Sequence, residues 1–113
     1  MVDDDRSMVG TLCVILGMHG WRTSGGYDGE AAADLAEAGE VDVVLMDVIM
    51  PRMNGVDAMR AIISRRPDTR VILMTAYAPH DLIAKAEQQG VFRVLAKPVQ
   101  LPNLLSLLDE AVP

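Results

Sequence analysis

Five residues of this chain have the types and spacing to handle a phosphoryl group beside a divalent cation: Asp3, Asp4, Asp47, Thr75 and Lys97. Asp47 follows the run VDVVLM (41–46), which is apolar except for Asp42 and rich in valine. A short run of this kind, bounded by turn residues, suits a strand buried on both faces of a parallel sheet. Pro51, Asn54 and Gly55 then mark a loop leading into a helix. Asp47 therefore stands at the carboxyl end of a buried strand, where open α/β sheets carry their ligand sites. A core strand gains nothing from an unpaired charge at its tip. Taken alone, the same aspartate could simply end the strand in solvent. Thr75 and Lys97 weigh against that, because each follows a strand-like run of its own (71–74, fully apolar, and 91–96, apolar except for Arg93). An aspartate can attack phosphorus and hold the group as a mixed anhydride. Asp3 and Asp4 offer hard oxygen ligands of the kind Mg2+ takes. The metal and the Lys97 ammonium would offset charge on the transferring group, and the Thr75 hydroxyl can donate to one of its oxygens.

The elements that must position these groups follow in order along the chain. After Val2-Asp3-Asp4-Asp5, the segment Ser7 to His19 has the length of a helix, although Gly10, Gly17 and several β-branched residues weaken it. Gly20 is a C-terminal stop. Trp21 to Ser24 reads as a short, polar strand, and Gly25-Gly26 as a loop. The alanine-rich Glu30 to Ala38 reads as a helix closed by Gly39. Beyond the central strand, Val56, Met59, Ile62 and Ile63 give Gly55 to Arg66 an amphipathic spacing. Val71 to Met74 is a second fully apolar strand. Pro79-His80-Asp81 opens a helix to about Gln89, stopped by Gly90, and Val91 to Ala96 is a third strand. Leu101-Pro102 starts a last helix, greasy at Leu104, Leu105, Leu107 and Leu108. Strand and helix alternate with no hairpin signal between the strong strands, which predicts a parallel sheet.

Bulk composition narrows the classes. At 113 residues, half of them hydrophobic, the chain fits one folded domain, taken here as 1–113. A formal net charge of −6 argues against a nucleic-acid surface. No apolar run is long enough to span a membrane and no signal peptide opens the chain, so a cytoplasmic location is expected. The single cysteine, Cys13, excludes an internal disulfide and has no His or Cys cluster for zinc. It reads as a small apolar filler, His19 and His80 as surface residues, and the eight methionines as core material.

VDDD at 2–5, MDVIMPRMNG at 46–55, MTA at 74–76 and AKP at 96–98 together resemble the receiver domain of two-component response regulators over nearly the full chain. The resemblance implies a flavodoxin-like (βα)5 doubly wound parallel sheet of strand order 2-1-3-4-5. It implies phosphotransfer from a histidine kinase or phosphotransfer protein to Asp47, with Mg2+ held by Asp3, Asp4, Asp47 and the backbone carbonyl of Ile49. Thr75 would be the switch hydroxyl. Lys97, followed by a cis peptide to Pro98, would contact the phosphoryl group. Such a domain catalyses only its own phosphorylation and dephosphorylation. Two departures stand out. The family has a full apolar strand before its acidic pair, whereas only Met1 and Val2 precede Asp3, so the first strand is expected to be largely missing. Val94 occupies the place where the family often has a switch Tyr or Phe. A pseudo-receiver acting only through binding is one alternative. A haloacid-dehalogenase-type phosphohydrolase is another, disfavoured because it wants a second acid at position 49.

The first helix carries a further expectation. Aligned on the family pattern, Met8, Leu12, Ile15 and Leu16 face the core, leaving Val9, Gly10, Cys13, Val14, Gly17 and Met18 outside, none of them charged. A helix apolar all round is generally buried all round. This predicts a homodimer through the Ser7–His19 helix, with docking on another domain as the second choice.

Overall fold

The computed structural model describes residues 1–3, 5–26, 41–47, 55–76, 80–97 and 99–111. Helix α1 (Arg6–Met18) starts where the Asp5 side chain accepts the Met8 N–H at 3.1 Å, an N-cap that satisfies one of the free amides of the first turn. It ends at Gly20, whose φ of 92° only glycine adopts without strain. That turn lets the Trp21 N–H reach back to the Leu16 carbonyl at 3.1 Å.

Three parallel strands follow, β1 (Val43–Asp47), β2 (Arg70–Thr75) and β3 (Arg93–Ala96), hydrogen-bonded in the order β1-β2-β3. Between and after them run α2 (Gly55–Arg65), α3 (His80–Gln88) and α4 (Leu101–Ala111). α2 buries Val56, Met59 and Ile62, the spacing read from the sequence, and carries Asp57 in its first turn and Arg65 in its last, as the helix dipole favours. α3 is closed by Gly90, also at positive φ, with the Val91 N–H bonded to the Ala86 carbonyl. The helix expected over Glu30 to Ala38 lies outside the described residues.

Side-chain alternation along β1 and β2 divides the core into two layers. Val44, Met46, Val71 and Leu73 pack with Val56, Met59 and Ile62 of α2 and Ala86 of α3. Leu45, Ile72 and Met74 pack on the opposite face with Leu16 of α1 and Leu104, Leu107 and Leu108 of α4. Helices thus cover both faces, which is why the strands read as unbroken apolar runs. No helix among the described residues is long and apolar enough to cross a membrane.

The left side of the sheet departs from expectation. Trp21 to Ser24 is not a strand; the ladder point falls instead at Gly26, which pairs in parallel with Val2. Val2 in turn pairs in parallel with Met46 of β1. The central rung is therefore short but filled: Met1 to Asp3 lie between the Gly26 segment and β1, and the order across the sheet is 2-1-3-4-5 when these two segments are counted. α1 is also rotated from its expected phase. Val9, placed outside by the sequence reading, is buried, because Gly25 passes so close that a Cβ there would lie 2.8 Å from Val9 Cγ1. Met8, Leu12 and Ile15 are only half-buried, whereas Gly10, Val14, Gly17 and Met18 do face solvent.

Candidate functional site

The carboxyl ends of the parallel strands bring the acidic and basic candidates together. Asp47 is the last residue of β1, in register with Met74, one residue before Thr75. Thr75 is in register with Ala96, one residue before Lys97. The Lys97 N–H donates to the Thr75 carbonyl at 2.8 Å, fixing the third strand end against the second. On the other side, the Asp47 N–H donates to the Val2 carbonyl at 2.9 Å, which sets Asp3 beside Asp47.

The Lys97 ammonium joins the two carboxylates, with Nζ 2.7 Å from Asp3 Oδ2 and 2.9 Å from Asp47 Oδ2. Both aspartates are buried, Asp3 almost completely at 1% exposure. Burial works against the charge on Lys97, but the hydrogen bonds and charges of Asp3 and Asp47 together outweigh it and raise the lysine pKa. Asp3 also accepts the Asp5 N–H on Oδ1 at 2.9 Å, so its carboxylate is oriented from both ends. Thr75 Oγ1 is fully enclosed and has no hydrogen-bond partner among the described residues. A buried hydroxyl without a partner calls for an explanation, and an incoming oxygen atom would supply one.

Of the residues singled out from the sequence, Asp3, Asp47 and Lys97 meet directly, and Thr75 stands on the neighbouring strand end. Asp4, the Ile49 carbonyl and the bond to Pro98 lie outside the described residues. Among the described residues no three His, Cys, Asp or Glu side chains cluster as a metal site. The donor set nevertheless fits a hard cation: two buried carboxylates share the single ammonium of Lys97, and oxygen donors of this type are what Mg2+ takes. Two contributors escaped the sequence reading. Asp5, given no role from the sequence, caps α1. Thr69, buried just before β2, donates from Oγ1 to the Val41 carbonyl at 2.7 Å and ties down the start of β1. Val94 packs half-buried against the α2–α3 layer.

The response regulator receiver domain family matches residues 1–109. The chain belongs to this family. Its relatives include the transcriptional regulatory protein PdtaR of Mycobacterium tuberculosis, 38% identical over 85 residues, which take in 75% of this chain and 41% of PdtaR. The chain spans less than half the length of the first curated relatives it matches. Among solved structures, a response regulator from Burkholderia pseudomallei with a phosphorylated aspartic acid, calcium ion and citrate superposes with a TM-score of 0.87 at 25% identity, over 95% of this chain and 63% of that one. The beryllofluoride-activated NtrC4 receiver domain dimer gives 0.89 at 28% identity, over 98% of this chain and 92% of that one. The flavodoxin-like receiver fold follows, and with it a regulatory receiver module of two-component signalling.

Proposed function

We propose that this receiver, residues 1–113, takes a phosphoryl group onto Asp47 from a histidine kinase or phosphotransfer protein and signals by the change that follows. The observation that carries the reading is the Lys97 ammonium bridging Asp3 and Asp47 at the strand ends. An Asp47 oxygen attacks the phosphorus of a phosphohistidine. The new O–P bond forms as the P–N bond breaks, the electron pair stays on the imidazole nitrogen, and that ring takes up a proton in leaving. Asp3, Asp4, Asp47 and the Ile49 carbonyl would hold Mg2+, which when bound would supply positive charge to offset that of the phosphoryl group. Lys97, already within hydrogen-bond distance of Asp47, transfers its contact to the added phosphoryl group. Thr75 Oγ1 gives its free hydrogen bond to another phosphoryl oxygen. A cytoplasmic module without nucleic-acid contacts of its own goes with this reading.

Incubation with acetyl phosphate and Mg2+ tests it. The expected product is one acid-stable, hydroxylamine-labile phosphoryl group per chain, absent from Asp47→Asn. Equal labelling of that variant would remove Asp47 from the role. No uptake by the parent, together with no beryllofluoride binding, would favour the pseudo-receiver.

A second reading concerns partners. On α1, Val14 and Met18 are 65% and 82% exposed, the large apolar side chains most open to solvent among the described residues. Gly10 and Gly17 on the same helix have open space where a Cβ would stand. This supports a homodimer packed through α1. Sedimentation should show self-association at micromolar concentration in the parent and a monomer for Val14→Glu. A monomeric parent with the same thermal stability as Val14→Glu would rule this interface out.

A further inference from the structure

Asp5 stands outside the group of side chains that meet at the strand ends, yet it is bonded to that group through its backbone. Its N–H donates to Asp3 Oδ1 at 2.9 Å, while its own Oδ1 accepts the Met8 N–H at 3.1 Å. Its carbonyl takes the Val9 N–H, also at 3.1 Å. One residue thus joins the first turn of α1 to a buried carboxylate of the site. The helix end of this link is anchored in the core, because Val9 and Leu16 are buried and Val9 lies against Gly25.

The two oxygens of Asp3 differ in what holds them. Oδ2 takes the Lys97 ammonium, which rides on a flexible four-carbon stem, whereas Oδ1 takes a backbone N–H. Asp3 is almost fully buried, so bulk water does not replace a donor lost from Oδ1, and the carboxylate turns instead to find another. The cap sets where that N–H stands. The Asp5 backbone is extended, with φ −79° and ψ 94°, as suits a residue just outside a helix. Without the cap, residue 5 is free to take the helical ψ of about −42° and join α1. Because α1 is anchored by Val9 and Leu16, it is then the N–H side of residue 5 that shifts relative to Asp3.

We propose that Asp5 is a positioning residue for the cation site: its side chain caps α1, the cap fixes its N–H, and the N–H aims the Asp3 carboxylate. The inference rests on the reading of Asp3 and Asp47 as cation ligands. Asp5 acts through Asp3 and does not itself touch the cation. A donor behind a metal-ligating carboxylate belongs to the outer shell whose loss weakens metal binding. A rival account is that the Asp5 carboxylate draws the cation in by its charge alone, and the two accounts part on what the side chain must keep.

Calorimetric titration of the full chain with Mg2+ tests it on two variants that separate the cap from the charge. Asp5→Asn keeps a capping side chain and loses the charge, whereas Asp5→Glu keeps the charge and carries its oxygens too far out to cap well. The Kd for Mg2+ should stay within about twofold of the parent in Asp5→Asn. It should weaken about tenfold in Asp5→Glu. In Asp5→Glu alone, the amide proton of residue 5 should also move upfield and exchange faster, as it leaves the Asp3 carboxylate. Ile62→Val, which loosens the core beneath α2, should lower the thermal midpoint and leave the Kd unchanged. Equal Kd in the parent and Asp5→Glu overturns the proposal. So does weakening in Asp5→Asn beside a parent-like Asp5→Glu, since charge then governs affinity, or an equal loss in Ile62→Val. A parent that takes up no Mg2+ at millimolar concentration refutes the reading of the site itself, and the positioning role with it.

Discussion

Replacing Lys97 with methionine removes the ammonium but keeps much of the stem, and its cost can be worked from the geometry. Nζ makes charge-assisted hydrogen bonds of 2.7 and 2.9 Å to two buried carboxylates. Such bonds contribute about 1.5–3 kcal/mol each, and removing one partner of a buried ion pair costs about 3–5 kcal/mol. Two corrections lower the sum. The bonds share one donor and do not add, and the lysine side chain is 20% exposed, so water partly replaces it. A loss of about 2–3 kcal/mol remains. The same triad predicts the opposite sign for Asp47→Asn, which removes one of two carboxylates sharing one ammonium while leaving the Lys97–Asp3 pair intact. That variant should be neutral or more stable by up to about 1 kcal/mol. Urea unfolding without divalent cation, followed by two probes, measures both changes. A Lys97→Met loss below about 0.5 kcal/mol, or an Asp47→Asn loss as large as that of Lys97→Met, would show that the bridge does not hold the site together.

Other perturbations test the surrounding structure. Millimolar Mg2+ should raise the thermal midpoint of the parent, because a ligand at 100 times its Kd adds about 2.7 kcal/mol, and the increment should disappear in Asp3→Asn. Gly25→Ala should destabilise by about 1–3 kcal/mol, since the new methyl meets Val9 Cγ1 at 2.8 Å and α1 must move, as a fall in urea midpoint would report. Thr69→Val should lower stability by about 1–2 kcal/mol by leaving the Val41 carbonyl without its donor. The raised Lys97 pKa means the folded state holds its proton more tightly than the unfolded chain. Its stabilisation is complete below the ordinary lysine pKa and is lost as pH rises through the folded value, so the alkaline limb of stability against pH should flatten in Lys97→Met.

What the sequence disclosed and what it concealed divide along a physical line. The alternation of β1, β2 and β3 with α2, α3 and α4 was legible because strands covered on both faces leave unbroken apolar runs and the helices leave a 3.6-residue stripe. Boundaries shifted by only a residue or two: Val41–Met46 became Val43–Asp47, and Val91–Ala96 became Arg93–Ala96. The placing of Asp47, Thr75 and Lys97 at one sheet edge was legible because each stands at or just past a strand end, where a polar residue after an apolar run stands out. The phase of α1 was not legible, because it depends on Gly25 lying against Val9, a contact between segments with no shared periodicity. Asp5 carried a usable signal, an acid directly before a helical run, but among three adjacent aspartates its capping role could not be separated from simple solvation. The double engagement of Lys97 was also hidden, since spacing places residues at one sheet edge without saying which carboxylate an ammonium reaches.

Asp3 is placed by hydrogen bonds on both sides of the segment that carries it. Met1 to Asp3 are held on one side by Val2 N–H to Leu45 C=O at 2.7 Å and Asp47 N–H to Val2 C=O at 2.9 Å. On the other side, Gly26 N–H to Met1 C=O at 2.9 Å and Asp3 N–H to Gly26 C=O at 3.2 Å complete the pair. Four bonds thus restrain three residues, and Val2, at 3% exposure, adds apolar packing. Two residues on, Asp5 is committed to α1 through its cap. The carboxylate of Asp3 is in this way tied to the same strand, β1, that carries Asp47. Both acids therefore move with one rigid element, which is what a cation shared between them requires.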